Sequence, residues 1–163
     1  MNLRGRRTLA APRPALFRAI LDPDTLLRVI PGCREIELGD DGEYRGLISL
    51  RLPGIAGSYR TRVRVVDAQE PDHGELEGEV TGALGTVTGR ATFRLTEAGP
   101  GTIVDYEGRA TIGGPLARLD SRFVEGLARS LIDQGLDTLD ARIKADPVGT
   151  ATGGGPVREE IPR

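Results

Sequence analysis

The chain has 163 residues and a formal net charge of −2, from 22 Lys and Arg against 24 Asp and Glu. This length is typical of one domain with its own hydrophobic core, and the near-neutral charge argues against nucleic-acid binding through bulk charge. One Cys and one His exclude an internal disulfide framework and a zinc site that needs several such ligands. No apolar run approaches the ~20 residues of a membrane span, and no apolar stretch follows the basic residues 1–7, so we predict a cytoplasmic protein without a signal peptide.

The N-terminal part predicts a strand and then two short helices. Partial alternation of apolar and basic residues over 2–10 indicates the strand. A proline in the first turn suits a helix over residues 14–21, because its missing N–H is one that a helix start cannot use. The pair Asp22-Pro23 gives the same start signal for a second helix over residues 23–30.

From residue 33 onward the pattern changes to a period of two. Six segments up to residue 112 alternate apolar or small side chains with polar or charged ones, and turns rich in Gly, Pro and Asp separate them. This pattern is typical of an antiparallel meander with one face in water.

A long helix is predicted over residues 115–144, after two glycines and a proline end the sheet. Its apolar residues recur at spacings of three and four, which is the period of a buried helix face. They form two successive stripes, Leu116, Leu119, Phe123, Leu127 and Leu131, then Ile132, Leu136, Leu139 and Ile143. The shift between the stripes falls near Gly135, where we expect a bend or a change of packing partner.

This order of elements predicts an α+β fold. A seven-stranded antiparallel curved sheet would wrap around the long C-terminal helix, with two short helices after the first strand. Residues 1–144 would form this domain. Residues 145–163 have little to bury, so we predict a flexible C-terminal tail there.

Small residues fall on the inner face of the predicted sheet, toward the helix. They are Gly46, Gly78, Gly89, Ala91, Gly108 and Ala110. A glycine inside a strand supplies no side chain to pack, so one interpretation is an apolar ligand cavity between the sheet and the helix. The other interpretation is that each glycine marks a bulge or bend that the curled sheet needs.

The first interpretation predicts a cavity lined by small, apolar and aromatic side chains from both layers. These candidate ligand-binding residues are Tyr44, Gly46, Ile48, Tyr59, Val63, Gly78, Gly89, Ala91, Phe93, Tyr106, Gly108, Ala110, Phe123, Leu127 and Leu131. We predict no catalytic residue, metal ligand or cofactor, since the sequence has no phosphate loop, dinucleotide fingerprint or zinc motif.

The three tyrosines, Tyr44, Tyr59 and Tyr106, all fall on the inner face. Their rings would pack the core with each hydroxyl bonded to backbone, or the hydroxyls would orient a ligand carbonyl, or one would act as a general acid. His73 lies in a predicted turn, where a histidine is most often solvated. Cys33 is a lone cysteine, which is usually a small buried hydrophobe.

Charged residues from three strands fall on the outer face of the predicted sheet. They are Arg60, Arg62 and Arg64 on one strand, Glu75, Glu77 and Glu79 on the next, and Arg90 and Arg94 on a third. If these strands are neighbours, opposite charges will pair across the sheet. The alternative is a basic patch for an acidic partner or an anionic lipid.

Several short motifs follow one another in a fixed order. They are Asp22-Pro23, Ile30-Pro31-Gly32-Cys33, Glu43-Tyr44-Arg45-Gly46, the stretch from Gly85 to Gly89, Gly101-Thr102 followed by Tyr106, and Ile112-Gly113-Gly114-Pro115-Leu116-Ala117. In this set, residues 2–144 resemble the family of carbon monoxide dehydrogenase G-type subunits, within the START-like (SRPBCC, Bet v 1-like) superfamily.

The resemblance implies a helix-grip fold around a hydrophobic pocket suited to a lipid or quinone-like molecule. It also implies an accessory role beside a molybdenum-containing CO dehydrogenase or a related hydroxylase, either in recruiting that enzyme to the membrane or in supplying its electron acceptor. Peripheral contact with the inner face of the membrane belongs to the same expectation.

We therefore expect a non-enzymatic binding protein for a hydrophobic small molecule. One alternative is a cofactor-independent cyclase-like or hydratase-like enzyme, which requires a buried titratable group that faces the pocket. Another is a docking adaptor without a ligand, which requires an exposed apolar patch around Ile55.

Overall fold

The computed structural model describes residues 1–145, and the predicted tail lies outside these described residues apart from its first position. The elements, in chain order, are β1 (Asn2–Leu9), α1 (Arg13–Leu21), α2 (Pro23–Val29), β2 (Cys33–Leu38), β3 (Glu43–Leu50), β4 (Gly57–Gln69), β5 (His73–Gly82), β6 (Gly85–Ala98), β7 (Gly101–Gly113), a 3₁₀ turn (Gly114–Arg118) and α3 (Ser121–Ala145). The predicted α+β helix-grip fold is confirmed: a seven-stranded sheet is combined with two short helices after β1 and a long C-terminal helix.

The sheet is antiparallel throughout, with the strand order β1-β7-β6-β5-β4-β3-β2. Its register pairs the predicted inner residues with one another, as in Gly78 with Gly89 and Ala91 with Gly108. Because side chains alternate between faces along a strand, residues that pair across strands share a face. The two faces of the sheet are therefore assigned as the alternation predicts.

The long helix starts later than the sequence pattern predicts. A 3₁₀ turn occupies residues Gly114–Arg118, Leu119 has extended backbone, and the α-helix begins at Ser121. The Asp120 carboxylate accepts the backbone N–H of Arg122 at 2.8 Å and so satisfies one of the free N–H groups at the helix start. Phe123, which the stripe predicted to be buried, is 46% exposed.

Helix α3 packs against two separate apolar clusters. The first joins it to α1 and to the sheet through buried residues such as Leu16, Leu95 and Leu139. The second contains Ile55, Tyr59 and Leu116, with Leu127 of α3 packed against them. The predicted change of packing partner along the helix is thus confirmed, since residues before and after Gly135 belong to different clusters.

Polar contacts fix α3 across the open edge of the sheet at β1. The Arg129 guanidinium donates to the carbonyl oxygen of Arg4 at 2.8 Å. The Asp140 carboxylate accepts the N–H groups of Ala10 and Ala11 at 3.1 and 2.9 Å. The first bond satisfies a carbonyl of the edge strand, the other two satisfy N–H groups that directly follow β1, and together they hold the helix in place over the inner face of the sheet.

Candidate ligand-binding site

An apolar cavity of about 280 Å³ lies between one end of the sheet and α3. Strands β3 to β7, the 3₁₀ turn, the β3–β4 loop and the α2–β2 loop all contribute to its walls. The lining residues are Met1, Ile30, Pro31, Ile48, Leu50, Ile55, Tyr59, Val80, Val87, Ile112, Leu116, Val124, Leu127, Ala128 and Leu131. Every one of them is apolar except for the hydroxyl of Tyr59, so the cavity suits a hydrophobic guest.

The roof of the cavity is one face of α3. Val124, Leu127, Ala128 and Leu131 follow spacings of three and four, which place their side chains on the same side of the helix. At one end, Leu116 donates its backbone N–H to the carbonyl of Leu84 at 2.8 Å, which ties the 3₁₀ turn to the β5–β6 turn. The end wall is thereby fixed to the sheet.

The cavity walls differ in burial from the first apolar cluster. Leu16 and Leu95 of that cluster are fully buried, whereas Ile48, Val87 and Ile112 of the cavity are only half-buried. Protein interiors are normally close-packed, so the partial exposure of these apolar side chains indicates that the protein's own atoms do not fill the cavity.

Four of the predicted lining residues lie in the cavity wall: Ile48, Tyr59, Leu127 and Leu131. The other predicted residues lie elsewhere in the fold, with Phe93 and Tyr106 packed in the first apolar cluster and Phe123 exposed. Of the residues that the sequence prediction omitted, Leu50, Val80, Val87, Ile112 and Leu116 already had inward or stripe positions in the pattern. The four strand residues among them lie near the strand ends at one end of the sheet, and this shared position could have identified them.

Three of the predicted inner glycines lie where neighbouring backbone comes close. A Cβ atom on Gly46, Gly78 or Gly89 would approach the carbonyl oxygen of Glu35, Arg62 or Arg109 to 2.9, 2.8 or 2.2 Å. At Gly108 the nearest atom would be 3.6 Å away, which leaves room for a side chain. Close approach of neighbouring backbone therefore accounts for the absence of a side chain at the first three glycines, and the apolar cavity lies elsewhere on the inner face.

Two tyrosine hydroxyls are bonded to backbone. Tyr44 donates to the carbonyl of Leu21 at 2.5 Å, and Tyr59 donates to the carbonyl of Ile55 at 2.6 Å. Burial raises the pKa of both phenols above the usual value, so both hydroxyls stay protonated at neutral pH. Since the Tyr59 hydroxyl already donates its proton to the Ile55 carbonyl, the cavity lining offers a guest mainly apolar contact.

The lining also bears on the enzyme alternative, which requires a buried titratable group facing the pocket. None of the described residues that line the cavity is Asp, Glu, His or Lys. Nor do residues 1–145 bring three or more His, Cys, Asp or Glu side chains together as a metal site would need.

The model of the family described as the G-type subunit of carbon monoxide dehydrogenase (CoxG) matches residues 5–144. The chain belongs to the CoxG family. A search of curated proteins finds no match to it.

Solved structures show that the CoxG chain shares its fold with START-like proteins. A conserved protein from Geobacillus kaustophilus is 24% identical with a TM-score of 0.86, and the match covers 90% of this chain and 97% of that one. A START superfamily protein from Mycobacterium smegmatis is 13% identical with a TM-score of 0.68, covering 88% and 97%. A Rhizobium leguminosarum protein is 17% identical with a TM-score of 0.67, covering 89% and 95%.

Ile55 is not exposed, although the docking-adaptor alternative requires an exposed apolar patch around it. This residue is 6% exposed and lies in the cavity wall, because the β3–β4 loop folds inward over Tyr59 and Leu116. It cannot form an exposed docking patch. In the described part of the chain, no helix is long and apolar enough to cross a membrane.

His73 and Cys33 both lie outside the cavity. The two ring nitrogens of His73 are 3.2 Å from the Asp72 carboxylate and 3.4 Å from that of Asp67. The Cys33 thiol donates to the carbonyl of Glu35 at 3.4 Å, and burial raises its pKa, which makes it a weaker nucleophile. Neither side chain takes part in the ligand site.

The contact between Asp72 and His73 predicts a pH-dependent contribution to stability. The hydrogen bond from His73, together with Arg94 and Arg13, lowers the pKa of Asp72. A lowered pKa means that the stabilisation is present above the unfolded value of about 3.9 and is lost as the pH falls through the native value. We expect Asp72→Asn to lower the free energy of unfolding at pH 5, and the difference from the unsubstituted protein to shrink toward pH 3.

Urea unfolding at several pH values would measure this effect. Asp24→Asn is the matched control, since Asp24 forms an exposed pair with Arg28 within α2. An equal and pH-independent loss in both variants would contradict the assignment.

Proposed function

We propose that this CoxG-family protein is a non-enzymatic carrier of a hydrophobic small molecule, lipid or quinone-like, that serves a molybdenum CO dehydrogenase-type oxidoreductase. The observation that carries the proposal is the apolar cavity under α3, whose one hydroxyl is already bonded to protein. The family name supports the link to the oxidoreductase.

The size of the cavity limits the kind of guest. Its volume of about 280 Å³ is roughly twice that of an engineered apolar cavity of about 150 Å³ that binds benzene. A ring system such as a quinone head group fits a space of this size. A long apolar tail would have to extend beyond the cavity walls, so a tailed guest is expected to be only partly enclosed.

As an accessory protein, the carrier would bring an electron acceptor to the oxidoreductase or help to recruit that enzyme to a membrane that holds the guest. Loading from a membrane involves peripheral contact between the protein and the bilayer. Such contact follows from the proposed guest, since lipids and tailed quinones reside in the bilayer.

The first test asks whether the protein binds such a guest. The purified chain would be extracted with organic solvent and analysed by mass spectrometry, and then titrated with a decyl-tailed benzoquinone while tyrosine fluorescence is followed. The chain has no tryptophan to mask the signal, and Tyr59 lies in the cavity wall. We expect a co-purified apolar molecule and saturable quenching.

A pair of helix variants tests whether binding occurs in the cavity. Ala128 of α3 lines the cavity, whereas Ala141 of the same helix is exposed and does not. Ala128→Phe places a phenyl ring in the space, so we expect at least a tenfold weaker affinity for the quinone, equivalent to about 1.4 kcal/mol. Ala141→Phe should bind as the unsubstituted protein does.

Equal affinity in the two variants would place the guest outside the cavity. No extracted molecule and no saturable quenching in the unsubstituted protein would remove the carrier proposal altogether.

A further inference from the structure

The outer face of the sheet, opposite the cavity, carries a polar groove of about 740 Å³. Its charged residues come from three neighbouring strands and from β3 and β7. They are Arg62, Arg64, Arg90 and Arg109, with Glu43, Glu77 and Glu79. The strand register allows each charge to be matched with its neighbours.

One row of side chains crosses six strands through the groove. In order it contains Asn2, Arg109, Arg90, Glu77, Arg64 and Glu43. Arg90 is bound by Glu75 at 2.9 Å and by Glu77 at 3.1 Å. Opposite charges therefore pair across these strands, as the sequence pattern predicts.

Arg109 is the exception in this row. It stands between Asn2 and Arg90, and within residues 1–145 no carboxylate lies within ion-pair distance of it. Glu107, two residues earlier on the same face of β7, is bound by Arg4 at 3.2 Å. Arg90, directly opposite, already pairs with Glu75 and Glu77, so Arg109 is the arginine of this row that has no carboxylate partner in the described part of the chain.

The adjacent row adds hydrogen-bond donors at the same place. Thr88 and Thr111 lie directly opposite each other, next to Arg90 and Arg109, and both line the groove. With the Asn2 amide they form what we call the Arg109 corner: Asn2, Thr88, Arg90, Arg109 and Thr111. Guanidinium, hydroxyl and amide groups together are the donor set that binds phosphate and carboxylate oxygens.

Two of the three glutamates in the groove are engaged by arginines, and the third, Glu79, lies directly opposite Thr88. Glu43 has a side chain only 8% exposed and is enclosed by Arg45 at 3.0 Å, Arg62 at 3.2 Å and Arg64 at 3.7 Å. Glu77 is engaged by Arg90. The groove holds four arginines against three glutamates, and of the four it is Arg109 that has no carboxylate partner among residues 1–145.

We propose that the Arg109 corner binds an oxyanion, the phosphate or carboxylate group of a small molecule. This site lies on the other side of the sheet from the apolar cavity and goes beyond the proposed carrier function. The two sites can be occupied together.

Thermal unfolding in different anions tests the proposal. A ligand that binds only the folded state raises its unfolding temperature, and salt screening is controlled by comparing sodium phosphate and sodium succinate with sodium chloride at equal ionic strength. We expect phosphate, succinate or both to raise the unfolding temperature above the value in chloride. Comparing phosphate with succinate shows which oxyanion chemistry the site prefers.

The matched variants are Arg109→Gln and Arg6→Gln. Arg6 is also on the outer face but already pairs with Asp105 at 2.7 Å. We expect R109Q to remove the shift and to weaken the anion affinity measured by calorimetry at least tenfold. R6Q should keep the full shift, and Thr88→Val, which keeps every charge, should weaken the affinity severalfold.

The proposal is overturned if neither oxyanion exceeds chloride, or if R6Q loses as much affinity as R109Q. Quinone affinity should be the same in R109Q as in the unsubstituted protein, and A128F should keep the anion response. Failure of one site is therefore distinguishable from failure of the other.

Discussion

Replacing Gly89 with alanine is expected to lower the free energy of unfolding by about 3 kcal/mol, the upper end of the usual cost of overpacking a tight interior. A Cβ atom at this position would lie 2.2 Å from the carbonyl oxygen of Arg109 and 3.1 Å from the Cα of Ala110. These atoms belong to the backbone of the neighbouring strand, which can move away only if β6 and β7 separate. Urea unfolding followed by far-UV circular dichroism would measure the loss.

Gly108 provides the matched control because it lies on the same face and pairs with Ala91, two residues from Gly89 on β6. A Cβ on Gly108 would meet nothing closer than 3.6 Å. Gly108→Ala should therefore change stability by less than about 0.5 kcal/mol, as is usual for substitutions that create no clash. Equal losses in G89A and G108A would mean that the strands do not approach as closely at Gly89 as the structure shows.

This pair of glycines shows what the sequence pattern could and could not predict about the site. Both positions appear as small inner-face residues. At each of them the pattern alone does not decide whether the glycine borders a cavity or marks a bend in the sheet. The distinction depends on how close the next strand lies, which is set by the twist and register of the whole sheet. Periodicity assigns a residue to a face, but it does not measure the space above that face.

The strands and helices themselves were predictable because their signals are local. Alternation with period two identifies each strand, and a proline at the first turn marks α1 and α2, as the structure confirms. The ion pairs from Arg90 to Glu75 and Glu77 also follow from alternation once consecutive strands are taken as neighbours.

The position of the cavity depends instead on two non-local events. The break at Leu119 delays α3 to Ser121 and sets which helix residues form the roof. The β3–β4 loop folds inward and buries Ile55, which the sequence suggested as an exposed docking residue. Asp120 is a typical N-cap residue and so signals the later start, but the leucine stripe that continues through the break predicts an unbroken helix. The loop is rich in the residues of surface turns, so its inward fold has no strong sequence signal.

Leucine-to-alanine substitutions at Leu16 and Leu127 should have different effects on stability, because Leu16 lies in the packed core and Leu127 lies in the cavity wall. Leu16 is fully buried in the first apolar cluster, so L16A should cost about 2–5 kcal/mol through lost contacts and the new cavity. Leu127 is half-buried and already borders open space. L127A removes fewer contacts and should cost about 1 kcal/mol, well below the range for a packed leucine.

The two variants should also differ in ligand binding, which urea unfolding and quinone titration would reveal together. L16A lies outside the cavity, so its folded fraction should bind the decyl-tailed quinone with unchanged affinity. L127A enlarges the cavity, so it should gain affinity for bulkier two-ring quinones relative to one-ring quinones. If L127A costs as much stability as L16A and shows no change in preference, the space under α3 must be filled by the protein's own side chains in solution, because a leucine in contact with empty space cannot contribute as much packing as one surrounded on all sides.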